Sequence, residues 1–210
     1  MKRIRTLVLS FLFACAVLFV PFAVNAGYGI QNVAAAEEDE STTDYSTKYV
    51  VLSLEGFTIG QGFYITPTRM SYEEIGNVWK QEGIDIDLSK LTVSQATYAF
   101  FKKAGLQTKP AGSSAYNDSN FYLANIKGID KGTVKVPTAL LDAYKTRNNG
   151  NDLELEEKTG TDLAEHDYTS WSGWMITVDN VPCNTSAGAY LVDQGTGADT
   201  NVLRWQFTLA

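Results

Sequence analysis

Residues 165–210, EHDYTSWSGWMITVDNVPCNTSAGAYLVDQGTGADTNVLRWQFTLA, constrain the fold more than any other part of the chain. They hold two runs with the period of a half-buried strand. In the first, Trp174, Ile176 and Val178 share one face, and Met175, Thr177 and Asp179 share the other. In the second, Leu203, Trp205, Phe207 and Leu209 alternate with Val202, Arg204, Gln206 and Thr208. Two strands alone do not make a stable sheet, so the chain before them must supply further strands and the apolar layer that covers them.

The preceding sequence offers both. Residues 49–59, YVVLSLEGFTI, alternate in the same way, Gly60-Gln61-Gly62 provides a turn into Phe63-Tyr64-Ile65, and Pro67 ends that run, so a hairpin is expected. Residues 92–106 predict a helix. Thr92 and Gln95 fit a capping box, Val93, Ala96, Phe100 and Ala104 form an apolar stripe, Lys102 and Lys103 suit the C-terminal end of the dipole, and Gly105 suits the C-cap. A shorter helix is expected around Glu73 to Gln81, and residues 120–127, NFYLANIK, predict a third strand. Pro137 opens a second helix, PTALLDAYKTRN, with Leu140, Leu141 and Tyr144 as its apolar side. Helices placed between strands and followed by two more strands imply an α+β fold, with a short mixed or antiparallel sheet packed on one or two helices. Trp174, Trp205 and Phe207 fall on the inward faces and are read as core aromatics.

Residues 1–26 have the form of a secretory signal: a basic start, MKRIR, an apolar run and the small-residue ending Val24-Asn25-Ala26. Cleavage after Ala26 is expected, with cleavage after Ala36 or retention as a membrane anchor as the alternatives. Residues 27–47 are small, polar and acidic and read as a disordered spacer, so order is expected to begin near Lys48 and to run as one domain over 48–210. The chain carries a net charge of −7, and removal of the signal takes away Lys2, Arg3 and Arg5 but no acidic residue. Such a surface repels phosphate backbones and argues against nucleic-acid binding; membrane contact is expected only through an uncleaved N-terminal segment. Of the two cysteines, Cys15 lies in the signal, so Cys183 is left alone and reads as a small packed residue.

SGWMITVDN, followed about twenty residues later by NVLRWQFTL, resembles the closing motif of bacterial extracellular domains related to the C-terminal domain of transcobalamin and intrinsic factor. VVLSLEGFTIGQGFYITPT and FYLANIKGID resemble the same group, so the similarity covers residues 48–210. The resemblance implies a β-grasp-like fold. Asp179-Asn180 stands where that group usually has Asn-Gly, and residues 197–202 are looser than its usual Gly-Asp-x-Val turn. In the vitamin carriers a large helical domain completes the corrinoid site, so cobalamin binding does not transfer residue by residue.

Motifs for catalysis are sparse. The single histidine is His166, and neither a Gly-x-Ser-x-Gly elbow nor a His-Glu-x-x-His motif occurs. A Ser-His-Asp arrangement would have to use His166, and two carboxylates at suitable spacing would serve a glycosidase; with 24 acidic residues the second condition carries little weight. Glu154, Glu156, Glu157, Asp162, Glu165 and Asp167 are dense enough to consider calcium, but they lack the Asp-x-Asn-x-Asn-Gly order and read as a solvated face. No cofactor or metal is assigned. Tyr168 and Trp171 lie in the loop before the first terminal strand, where packing explains them least, and are the candidate ligand-binding residues. The expectation is an exported, non-catalytic binding module for a glycan, a peptide or a small molecule. A corrinoid-like carrier, and a hydrolase using His166 or a carboxylate pair, are the alternatives.

Overall fold

The computed structural model describes residues 43–129, 131, 134–156 and 160–209, so the signal expected at 1–26 and residues 27–42 of the expected spacer lie outside it. In chain order the elements are β1 (Tyr49–Glu55), β2 (Phe63–Ser71), α1 (Tyr72–Gln81), α2 (Val93–Ala104), β3 (Gln107–Lys109), α3 (Ser113–Tyr116), β4 (Asn125–Lys127), α4 (Thr138–Arg147), β5 (Asp162–Ala164), β6 (Gly173–Val178), β7 (Val181–Pro182) and β8 (Thr200–Thr208). They belong to one compact unit that starts at Thr42. None of the described helices is long and apolar enough to cross a membrane.

The main sheet has the order β2-β1-β8-β6-β7, with β1 and β8 parallel at its centre and every other pair antiparallel. An N-terminal hairpin, an intervening helix and a last strand that returns parallel to the first make this a β-grasp-like α+β fold, as expected. Period 2 decides which residues face inward. Val50, Leu52 and Leu54 of β1 sit beside Asn201, Leu203 and Trp205 of β8, and Trp174, Ile176 and Val178 continue the buried layer on β6. On the outer face the Glu55 carboxylate is nonetheless buried, because Arg204 Nη2 donates to it at 2.5 Å and Gln206 Nε2 donates to the same oxygen.

Helix α2 covers the inner layer. Both halves of its capping box are made: Thr92 Oγ1 accepts from the Gln95 N–H at 3.2 Å, and Gln95 Oε1 accepts from the Thr92 N–H at 3.0 Å. Gly105 closes the helix at φ 69, a left-handed conformation that costs a residue without Cβ little. Burial of α2 is wider than the expected stripe. Every residue from Val93 to Phe101 except Gln95 is buried, because α1 and α3 pack against it as well as the sheet, whereas Ala104 is exposed. α1 begins one residue before the expected start and carries its own box, in which Ser71 and Glu74 exchange side-chain and backbone hydrogen bonds at 3.0 and 2.7 Å.

The structure departs from several expectations. Pro67 does not end its run: β2 continues through it to Ser71, which an edge strand tolerates. The strand expected over 120–127 shortens to β4, because Phe121 packs its ring on Tyr116 at 4.2 Å instead of joining a ladder, and β4 enters a separate three-stranded sheet, β3-β4-β5. The expected onset of order at Lys48 moves earlier. Tyr45 stacks on Tyr72 at 6.3 Å, and its carbonyl accepts from the Glu73 N–H. Helix α4 forms where expected, but Leu140 and Leu141 on its expected apolar side are exposed and no residue of the helix is buried.

Asp179 and Asn180 form the turn between β6 and β7. Both residues are left-handed, with φ 50 and 67, as a two-residue hairpin requires. Asp179 secures the turn by accepting from the Val202 N–H at 2.7 Å and from Asn201 Nδ2 at 2.9 Å.

Candidate functional site

The loop from residue 165 to 172 joins β5 to β6 and carries both candidate ligand-binding residues, which the structure separates. Tyr168 is 1% exposed, and its hydroxyl donates to the Lys131 carbonyl at 3.1 Å while its ring meets Phe207 edge-on at 5.8 Å. It is therefore held largely in the core, although it also belongs to the wall of the larger cleft that Trp171 borders. Its burial depends on a partner 37 residues away, which no local pattern reveals. Trp171 is 81% exposed.

The other three indoles behave oppositely. Trp79, Trp174 and Trp205 are buried, and their N–H groups donate to the Gln95 carbonyl, the Leu163 carbonyl and Thr97 Oγ1 at 3.0, 3.1 and 2.9 Å. Trp174, Trp205 and Phe207 are core residues, as their strand faces require. Exposure of Trp171 is thus a property of its loop and not of tryptophan in this fold.

That loop is held firmly. The buried Ser172 hydroxyl donates to the Thr169 carbonyl at 3.1 Å and accepts from the Tyr168 N–H at 3.2 Å. Thr169 Oγ1 donates to the Leu209 carbonyl at 2.5 Å and accepts from the Trp171 N–H at 3.2 Å. His166, left-handed at φ 61, donates its backbone N–H to the Ser172 carbonyl at 2.8 Å, and its Nδ1 lies 2.7 Å from the Ser170 carbonyl. Asp167 takes the Ala164 N–H at 2.7 Å and pairs with the buried ammonium of Lys131 at 2.9 Å. Nearly every polar group around Trp171 is engaged in fixing the backbone that presents it.

Two clefts meet at Trp171. One, of about 720 Å³, is walled by residues 151–156, Tyr168, Thr169 and Ser170; the other, of about 420 Å³, is walled by Thr58, Val136, α4 and the end of β8. Tyr144, Leu153, Trp171 and Leu209 belong to both. Each volume lies within the roughly 300–1,000 Å³ typical of small-molecule sites. The first cleft has carboxylates at Asp152, Glu154 and Glu156, and the second has Arg147. Lys145 reaches Asp152 at 2.7 Å, and that hydrogen bond raises the lysine's pKa.

The walls contributed by α4 and residues 151–156 were not singled out from the sequence. Their signal is present: Leu153 and Leu155 alternate with Asp152, Glu154 and Glu156 directly after the Asn-rich end of α4, yet the segment forms no strand and its leucines are only half-buried. The other candidates go elsewhere. His166 is exposed and bonded within its own loop, with Nε2 3.7 Å from Glu165 Oε2. Of the acidic run, Glu157 lies outside the described residues, Asp167 is occupied by Lys131, and among the described residues no three His, Cys, Asp or Glu side chains converge as a metal site. Cys183 is half-buried, and burial pushes its thiol up to about 11. Comparison with protein-family models, curated proteins and solved structures finds no match to this chain.

Proposed function

We propose that this protein is an exported, non-catalytic binding module whose ligand surface is formed by the two clefts around Trp171. The observation that carries the reading is an indole left 81% exposed on a loop whose backbone is tied at almost every residue. Burying a large apolar side chain is worth roughly 1.5–3 kcal/mol, and the fold forgoes that gain here while spending many hydrogen bonds on keeping the loop in place. A rigid aromatic beside a cleft loses little conformational freedom when a ligand arrives, which favours binding. The basic start and apolar run of residues 1–26 support export. The strand order of the main sheet supports, within the same proposal, kinship with the transcobalamin-like extracellular domains.

Calorimetric titration of the full chain against soluble glycans, peptides and corrinoids tests this. A saturable heat that is lost in Trp171→Ala and kept in Lys90→Ala, a change at a distant exposed position, is the expected result. Binding unaffected by Trp171→Ala would place the ligand elsewhere and refute the reading.

A further inference from the structure

Resting on the Trp171 reading, we infer that the ligand is an uncharged oligosaccharide at least two rings long, with one ring laid against the Trp171 indole. Three features of the clefts lead to this class. First, the face of an indole is electron-rich, and a pyranose ring offers it a face of weakly positive C–H groups, so the pair gains both dispersion and electrostatic attraction. Second, the larger cleft is lined by side chains with amide, carboxylate and hydroxyl groups, at Asn151, Glu154 and Ser170, that the loop's own hydrogen bonds described above do not use. Carboxylates accept, amides donate and accept, and hydroxyls do both, which matches vicinal sugar hydroxyls in either role. Third, the charges around the site have both signs, with Asp152 already paired to Lys145 and Arg147 on the opposite side of Trp171. A ligand of strong single-sign charge would meet repulsion in one cleft or the other.

The geometry also disfavours two other classes. An extended peptide draws its affinity from main-chain hydrogen bonds to an unpaired strand edge, and these clefts are walled by a helix, a loop and the end of β8, where Thr208 pairs with Gly173 of β6 and the Phe207 and Leu209 carbonyls are already taken by the Thr58 and Thr169 hydroxyls. A broad, flat apolar ligand would have to lie over carboxylates in the larger cleft and desolvate them without compensation. Because Tyr144, Leu153, Trp171 and Leu209 are common to both clefts, a chain of linked rings can cross the indole and occupy the two sides together.

The experiment titrates the full chain calorimetrically with β-1,4-linked glucose and N-acetylglucosamine oligomers of increasing length, and separately with a lysine-rich peptide. The expected result is sugar binding that tightens from monomer to longer oligomers, weakens at least tenfold in Trp171→Ala, weakens severalfold in Asn151→Ala or Glu154→Gln, and is insensitive to added salt. Trp171→Phe should retain part of the affinity, and unchanged circular dichroism of each variant shows that it is folded. Silence towards every oligomer alongside Trp171-dependent heat from the peptide overturns the sugar assignment and keeps the binding site. Silence towards all probes overturns both. Sugar binding undiminished in Trp171→Ala overturns the stacking geometry.

Discussion

Lys131 Nζ lies 2.9 Å from Asp167 Oδ1, with the two side chains only 11% and 8% exposed, so a buried ion pair fastens the Trp171 loop to a segment 36 residues earlier. Removing one member leaves the other charge buried without a partner. Asp167→Ala should cost about 3–5 kcal/mol, read as a lowered urea midpoint, and should weaken ligand binding because the loop loses its anchor. Replacing both, as Lys131→Met with Asp167→Leu, should recover part of that stability, since desolvating two charges largely cancels their attraction while the Ala164 N–H still loses its acceptor.

Trp171 and Trp174 are three residues apart and should respond in opposite ways. Trp171→Ala should change stability by no more than about 0.5 kcal/mol, because an exposed side chain leaves no cavity. Trp174→Ala removes a buried ring packed on Phe207 at 5.2 Å and takes the indole donor away from the Leu163 carbonyl, and should cost about 3–5 kcal/mol. Urea unfolding of the two variants makes the comparison directly.

Asp179 closes the β6–β7 turn and holds both the Val202 N–H and the side-chain amide of the fully buried Asn201. Asp179→Ala should therefore cost about 1–3 kcal/mol, the penalty for leaving a buried polar group unpaired. At the next position, Asn180→Gly should gain up to about 1 kcal/mol, since glycine adopts φ 67 without the Cβ clash. Thermal unfolding of the two variants checks both signs.

Several phenols are shifted by the core. Burial raises the pKa of Tyr64, Tyr72 and Tyr116, and burial together with the Glu165 carboxylate raises Tyr122 to about 12. Below pH about 10 these groups are protonated in both folded and unfolded chains, so their contribution is fully present. Above that, the unfolded chain releases protons that the folded one keeps, and stability falls as pH rises towards the folded values. Urea midpoints should decline from pH about 10 upwards, and phenolate absorbance at pH about 11 should be lower in native than in urea-unfolded protein.

The sequence carried most of the main sheet, and for a physical reason. β1, β6 and β8 are long enough for alternation to be unmistakable, and α2 announces itself at both ends, with Thr92, Gln95 and Gly105 each occupying the role its chemistry suits. Of the second sheet only β4 was anticipated, within the longer run 120–127, since β3, β4 and β5 have three residues each and their pairing is decided by tertiary contact. The same limit explains Tyr168. Its loop position suggested a surface residue, and partners distant in sequence, the Lys131 carbonyl and the Phe207 ring, hold it inside. Trp171 stood out because no strand or helix pattern claimed it, whereas the clefts beside it depend on where α4 and residues 151–156 come to rest.

The parallel pairing of β1 with β8 also fixes when the molecule can assemble. Glu55 and Gln206, bonded across that pair, are 151 residues apart, so the central seam closes only after the chain through β8 has been synthesised. Until then β1 has the hairpin strand as its one partner in the sheet, and the row Val50, Leu52 and Leu54 lacks half of its neighbours. A topology dominated by so distant a contact folds late and slowly. A chain cut short before Thr200 therefore lacks the strand that joins the N-terminal hairpin to β6, and with it the layer that completes the core.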